Sequence, residues 1–311
     1  MVKLEYLRYF KMAAEKLSFN SAAKSLFKSS TSIVHAIDQL ENHYGVSLFV
    51  RKKSIGLTLT ADGKKLLGMA NDLLQNAELI DDEFISSHEG VRGELIVGCQ
   101  EGLSWSLLPR VICALQIEHP NLKINMQTTW MEQRFAPLVN GEIDVLVTFL
   151  VDETLPENFE STVICQPKTC ALMRKGHPLD NGLKRVSLAK LAEYPQISIK
   201  DGDGHKLFYG MYEDLGFKPE ILFMTNISTG AQSMVGRTDA VSLRILRPAG
   251  DFSPLGDEII SVEIEETPIG PDLVVVTNKM RTYSRETKHE VFTKAVQRAF
   301  SSGEMKQHIY Y

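Results

Sequence analysis

The sequence is poor in cysteine, with four in 311 residues, at positions 99, 113, 165 and 170. Residues so few and so far apart give no disulfide framework, and they are expected to stay as reduced thiols. Cys165 and Cys170 also miss the C-x-x-C spacing of a redox pair. No apolar run approaches the roughly 18 residues that a membrane span requires. The opening stretch MVKLEYLRYFKMAAEKL has neither an apolar h-region nor a small-residue cleavage site, so the expectation is a cytoplasmic protein with no membrane partner. Catalytic signatures are missing as well: there is no G-x-S-x-G elbow, no P-loop, no H-E-x-x-H and no G-x-G-x-x-G after a strand. The stretch KDGDGHKLFYGMYE (200–213) starts like a calcium loop, but Lys206 and Tyr212 stand where such a loop needs its Gly and its final Glu. No catalytic residue, metal or cofactor is expected.

What is present is the composition of a globular chain, 43% hydrophobic and 23% charged. Its length exceeds one compact core and calls for two or three domains. Charge is divided unevenly between them. Residues 1–60 hold nine Lys/Arg and four Asp/Glu against 25 and 35 in the remainder, so a head of +5 precedes a body of −10. A basic head on an acidic body is the balance of a module that binds a polyanion.

Within the head, Leu4, Leu7, Phe10, Ala14 and Leu17 share one helical face. Ser18 is placed to cap a second, short helix whose Ala22 and Ala23 let a neighbour approach closely. After Phe27-Lys28-Ser29 a third helix is expected over about 30–44, with Ile33, Ile37 and Leu40 inward and Gly45 as its stop. Two helices crossing through a tight turn form a helix-turn-helix, whose second helix can enter the major groove of DNA. Ser29, Ser30, Thr31, Ser32, Val34, His35 and Asp38 are the residues expected at the groove; hydroxyls bond bases or phosphates, and Val34 can touch a thymine methyl. The stretch GVSLFVRKKSIGLTLTADG (45–63) reads as a β-hairpin wing with Gly56 at its tip. Its Arg51, Lys52 and Lys53 would rest on phosphates or in the minor groove.

The order S-F-x-x-A-A-x-x-L, I-x-x-L-E-x-x-x-G-V-x-L-F-x-R and L-T-x-x-G resembles the LysR-type transcriptional regulators. It is carried here by Ser18, Phe19, Ala22, Ala23, Leu26, Ile37, Leu40, Glu41, Gly45, Val46, Leu48, Phe49, Arg51, Leu59, Thr60 and Gly63. So many fixed offsets over about 45 residues make a specific match. Departures fall at the reading end. The family often has glycine where this chain has Phe27, Gln-Pro where it has Ser30-Thr31, and Ser where it has Val34.

From Ala61 to about Ser86 the chain reads as one long helix, about 39 Å at 1.5 Å per residue. Leu66, Ala70, Leu73, Ala77, Ile80 and Phe84 alternate in steps of four and three, a seam for self-association. The resemblance implies that this linker helix dimerises, presenting two recognition helices to an interrupted inverted repeat. SSHEGVRGE (86–94) reads as the hinge to the next module. Three domains are thus expected: 1–60 for DNA binding, 61–89 as linker and 90–311 for effector binding.

After the hinge, strands and helices alternate: ELIVGC, a helix over about 103–118, LKINMQT, a helix to Gly141, and DVLVTFL. A second set follows in TCALM, YPQISI, EILFM and AVSL, and PDLVVVT with a helix over about 284–300 closes the chain. The overall class is α/β. Two α/β halves are expected, about 92–163 with 267–311 and about 164–266, hinged over a cleft by two crossovers. The resemblance implies that these two subdomains take the periplasmic-binding-protein-like form.

Ligands of open α/β sheets settle at the carboxyl ends of strands. Here those ends gather Gln100, Glu101, Gly102, Ser104, Thr128, Thr129, Trp130, Met131, Thr148, Lys200, His205, Asn226 and Thr229. The set expects a small polar or amphipathic effector, anionic if Lys200 pairs with it, an amine if Glu101 does. Relatives that sense small aromatic acids tend to carry hydroxyl residues where this chain has Gly102 and Met131, so that grip is absent here. The resemblance implies a regulator that binds promoter DNA as a dimer or tetramer, changes its grip with effector and acts on RNA polymerase. A small-molecule-binding α/β enzyme, or an effector-independent regulator run by assembly or redox state, are the alternatives the residues leave open.

Overall fold

The computed structural model describes the chain except residues 1, 53–55, 86–90, 151–153, 181, 183–184, 201–203, 249, 267, 280–286, 308 and 310–311. Two compact units form: Met1–Gly90 with Ala136–Glu142, and Val91–Phe135 with Ile143–Thr282 and the C-terminal segment.

The first unit runs α1 (Leu4–Lys16), α2 (Phe19–Ser25), α3 (Ser30–Tyr44), β1 (Phe49–Lys52), β2 (Gly56–Leu59) and α4 (Ala61–Ile85). Local chemistry sets each boundary. Ser18 accepts a hydrogen bond from Ser21 N and caps α2, Ser29 accepts one from Ser32 N and caps α3, and Gly45 closes α3 at φ +68°. Leu7, Phe10 and Ala14 of α1 are buried as the spacing predicts, but Leu4 and Leu17 are exposed, and Tyr9 and Ala13 fill the core instead. The core adds Ala22, Ala23, Ile33, Ala36, Ile37 and Leu40, with Leu48 and Phe49 from the wing.

Three residues of the family pattern have a visible physical cause. The Glu41 carboxylate accepts from Leu48 N at 2.7 Å and Phe49 N at 3.3 Å, tying α3 to the wing. Thr60 donates to Ser47 O and accepts from Gly63 N, capping α4. A side chain at Gly63 would place its Cβ 2.1 Å from Leu48 O, so only glycine lets α4 pass the wing. Gly56 pairs with Lys52 as the first residue of β2; it is not the tip, which lies outside the described residues.

The second unit contains β3 (Gly93–Cys99), α5 (Glu101–Ser106), α6 (Leu108–Glu118), β4 (Leu122–Thr128) and, after the single turn α7 (Ala136–Val139) that belongs to the first unit, β5 (Val145–Leu150), β6 (Phe159–Cys165), β7 (Cys170–Arg174) and β8 (Arg185–Val186). Then follow α8 (Leu188–Leu191), β9 (Gln196–Ile199), α9 (Gly204–Glu213), β10 (Ile221–Thr225), α10 (Ser228–Val235), β11 (Ser242–Arg244), β12 (Ile259–Ile264), β13 (Asp272–Asn278) and α11 (Lys288–Ser301). One sheet is ordered β4-β3-β5-β13-β6, the other β11-β7-β12-β8. The parallel pair β9 and β10 joins the second sheet through Ile197 N to Val241 O and Ser242 Oγ to Ile197 O. The first sheet is parallel only over β4, β3 and β5; β13 runs antiparallel to β5 and β6.

The chain leaves the first sheet after Cys165, two residues beyond the expected crossing at 163, because β6 still pairs with β13 there. It returns between β12 and β13; the expected point, residue 267, lies outside the described residues. The single helix expected over 103–118 is two. Pro109, in the first turn of α6, has no N–H to bond back into α5, so the helix restarts. The helix expected before Gly141 is the four-residue α7.

Candidate functional site

At the start of α3, Ser29 Oγ lies 2.8 Å from Ser32 Oγ, and Ser30 Oγ donates to Asn20 Oδ1 at 2.7 Å, pinning the helix entry to α2. Ser29 and Ser30 are therefore occupied in holding the turn. Thr31, Ser32 and His35 are exposed, while Val34 and Asp38 are half-buried. The His35 ring meets Tyr6 edge-on at 6.4 Å. The outward stripe continues to Gln39, exposed one turn beyond His35; the same helical spacing that singled out His35 points to it, and the sequence reading omitted it. Arg51 and Lys52 lie on β1, their side chains outside the described residues, as is Lys53 altogether.

On α4 the expected seam divides. Ala70 is buried in the first unit's own core with Leu67 and Leu74, and Leu66 packs against it. Leu73 and Ile80 stay exposed, joined by Met69, and Ala77 is half-buried. The Phe84 side chain is outside the described residues. The N-terminal core thus takes one side of about the first four turns of the helix, Leu66 and Ala70 of the expected seam included.

In the second unit the strand ends converge as the topology requires. Gln100 is buried and donates through Nε2 to Thr148 Oγ1, itself fully buried, and toward Met131 sulfur at 3.5 Å. Gln100 Oε1 and the buried Thr129 Oγ1 have no hydrogen-bond partner among the described residues. Two orphaned polar atoms at neighbouring strand ends are unusual, and ligands or water are their ordinary partners.

Glu101 is the pivot of the site. Its carboxylate accepts from Ser228 N at 2.9 Å and from Thr229 Oγ1 at 3.0 Å, so a residue following β3 caps α10. The cap is needed, because Ile227 at the N-cap position offers no side-chain acceptor. Glu101 is thus engaged by the other half and is not a free partner for an amine. Gly102 fits beneath: a Cβ there would lie 3.1 Å from Leu246.

Behind α10 lies Arg244, 5% exposed, which sequence reasoning missed. It donates through Nη2 to Ser228 O at 3.0 Å and to Ser228 Oγ. Burial pulls its pKa down to about 10 and nearby Glu101 pushes it back up, so it stays a cation at neutral pH. Lys200, the cation expected from the sequence, is exposed, and its backbone N–H bonds across to Thr225 O. His205 Nδ1 pairs with Ser198 Oγ at 2.7 Å, and its ring stacks on Tyr209. Ser104 donates to Glu101 O, while Thr128, Trp130 and Asn226 are exposed. The structure therefore gathers Gln100, Glu101, Thr129, Thr148 and Thr229 with Arg244, and leaves Lys200, Trp130 and Asn226 on the surface.

A groove of about 630 Å³ runs between α6, β6 and α11, lined by Glu118, Val163, Lys294 and Arg298 among others. It has no buried cation and lies away from the strand ends, so the chemistry favours the convergence around Glu101 as the site. Burial pushes the thiols of Cys99, Cys165 and Cys170 up to about 12, leaving them protonated and poor nucleophiles.

Comparison with known proteins completes the picture. The profile of the bacterial regulatory helix-turn-helix protein, lysR family, matches residues 4–64, and that of the LysR substrate binding domain matches residues 88–300. The uncharacterized HTH-type transcriptional regulator YnfL of Escherichia coli K12 is 28% identical over 221 residues, 69% of this chain and 70% of YnfL. A full-length OxyR variant from Pseudomonas aeruginosa shares the fold with a TM-score of 0.75 at 19% identity, covering 96% of this chain and 95% of that one. CbnR, a LysR family regulator solved with its target DNA, gives a TM-score of 0.60 at 21% identity over 96% and 99% of the two chains. With a helix-turn-helix on one unit and polar strand ends gathered in the other, both matched by their family profiles, the chain belongs to the LysR family of DNA-binding transcriptional regulators.

Proposed function

We propose that the protein is a dimeric promoter switch whose effector is a small anion received at the strand ends beside Glu101, α10 and Arg244. The observation that carries this is the buried guanidinium of Arg244 at the start of α10, where helix N–H groups and a cation favour negative charge and the Glu101 carboxylate already supplies one. An arriving anion would compete with Glu101 for Ser228 and Thr229, while Gln100 Oε1 and Thr129 Oγ1 would take its polar groups. Releasing or replacing the Glu101 bridge changes how the two halves close, and a dimer passes that change to the spacing of its recognition helices.

DNA is read in this proposal by Thr31, Ser32, Val34, His35 and Gln39 on α3, with Arg51 and Lys52 of the wing on phosphates. CbnR with its target DNA supports the arrangement by analogy. Pairing of dimers into tetramers and contact with RNA polymerase are carried over from the family in the same way. No turnover of the effector is part of the reading, and the protonated thiols give a redox trigger at Cys99, Cys165 or Cys170 no support.

The test is a thermal-shift screen of the full chain against small carboxylates and phosphorylated metabolites. A ligand at a hundred times its dissociation constant adds about 2.7 kcal/mol. A hit whose shift is lost in Thr229→Val and Gln100→Leu supports the site. Hits that persist in both variants move the effector elsewhere, and a chain that binds DNA but responds to no anion removes the anionic reading.

A further inference from the structure

Phe27 is 96% exposed, the barest large hydrophobic side chain among the described residues, with Ile117 next at 81%. Its backbone lies at φ +53°, the left-handed region in which a Cβ crowds the following carbonyl oxygen. The turn demands the left-handed backbone, because it closes the end of α2, but it does not demand an aromatic side chain there. The turn is closed by backbone bonds, Phe27 N to Lys24 O at 3.3 Å and Lys28 N to Ala23 O at 2.9 Å, which glycine or asparagine would make equally well. Leu26, the residue before it, is the one that packs against the core. Two residues later Ser29 caps α3. A bare apolar ring is therefore displayed at the entry of the reading helix, on a cap position that glycine or asparagine would fill at less cost.

The surroundings restrict what could cover it. Lys24, Ser25, Lys28 and Ser29 are all exposed around Phe27, and the first turn of α3 has no acidic residue. A protein partner would need a contiguous apolar patch, whereas this is one ring among lysines and hydroxyls, suited to a polyanion that also offers apolar groups. Duplex DNA offers them: the C5-methyl of thymine projects into the major groove, and the first residues of a recognition helix are those that meet base edges.

We infer that Phe27 is a specificity-determining DNA contact, its ring set against a thymine methyl at the edge of the groove that α3 enters. The inference rests on α3 being the reading helix, as proposed above. Because the contact is apolar it displaces no counterion and leaves the salt dependence of binding alone.

The test uses the full chain, and a random-sequence duplex library from which the wild type selects its preferred site. Phe27→Gly and Phe27→Asn, which relieve the backbone, are expected to melt no lower than the wild type yet to bind the selected duplex about tenfold more weakly. The slope of log affinity on log salt stays unchanged, Phe27→Leu recovers part of the affinity, and repeating the selection with Phe27→Gly loses a thymine preference at one position of each half-site. Unchanged affinity and unchanged base preference in both relieved variants would overturn the inference while leaving α3 as the reader. A shallower salt slope in them would also overturn it, since it would mean the segment acts on phosphates. A wild type that selects no sequence would bring down the reading of α3 and this inference together.

Discussion

His289 shows how one buried side chain sets a condition on the whole fold. It is 3% exposed at the start of α11, and burial pulls its pKa from 6.5 down to about 4, with Asp144 and Glu290 pushing up and Lys288 down. The folded state therefore refuses a proton that the unfolded chain accepts. Stability is complete above the ordinary histidine pKa, falls as pH drops from about 6.5 to about 4, and changes no further below that; about 2 kcal/mol is lost by pH 5. Urea midpoints at pH 7.5 and 5 measure this, and His289→Gln should remove most of the difference. Glu41 and Gly63 act at the same scale by other means, one by accepting two backbone N–H groups and the other by having no Cβ. Both stand in the family pattern for reasons of shape, not of DNA contact.

Among the elements, α4 carries the clearest division of labour. Its first turns bury Leu67, Ala70 and Leu74 inside their own unit, whereas Met69, Leu73 and Ile80 are left to solvent at spacings of four and seven. That outer stripe fits a coiled-coil partner. Leu73→Lys with Ile80→Lys is expected to turn the proposed dimer into monomers by light scattering without lowering the melting of the helix-turn-helix core, whereas Leu67→Lys should unfold that core. The division explains what could be read in advance. Helices with caps were legible: α3 begins and ends where Ser29 and Gly45 require, and α4 begins where Thr60 does. The seam was legible only as a periodicity, since residues at steps of three and four line either a core or a dimer face and the sequence does not say which. Strands β6, β8 and β12 escaped notice: β8 is two residues long, and β6 lies at a sheet edge and alternates weakly, with Glu160, Ser161 and Val163 exposed. Arg244 was invisible for a third reason, because its partner Ser228 comes from a different element, 16 residues earlier.

At the scale of the molecule, the bond from Glu101 to α10 has a kinetic consequence. A helix that carries its own cap keeps its first N–H groups protected for as long as it is folded. The amide of Ser228 is instead protected by a carboxylate from the other half of the unit, so its exchange with deuterated water reports every excursion in which the halves part, with α10 still intact. Exchange at Ser228 should be faster than at Gln232 in the same helix, should rise about fivefold in Glu101→Ala for the ~1 kcal/mol of a lost cap, and should slow when an effector bridges the same groups. Equal rates at the two amides in the wild type would show that the halves do not part on this timescale. That one amide is thus a clock for the opening of the cleft, readable before any effector is known.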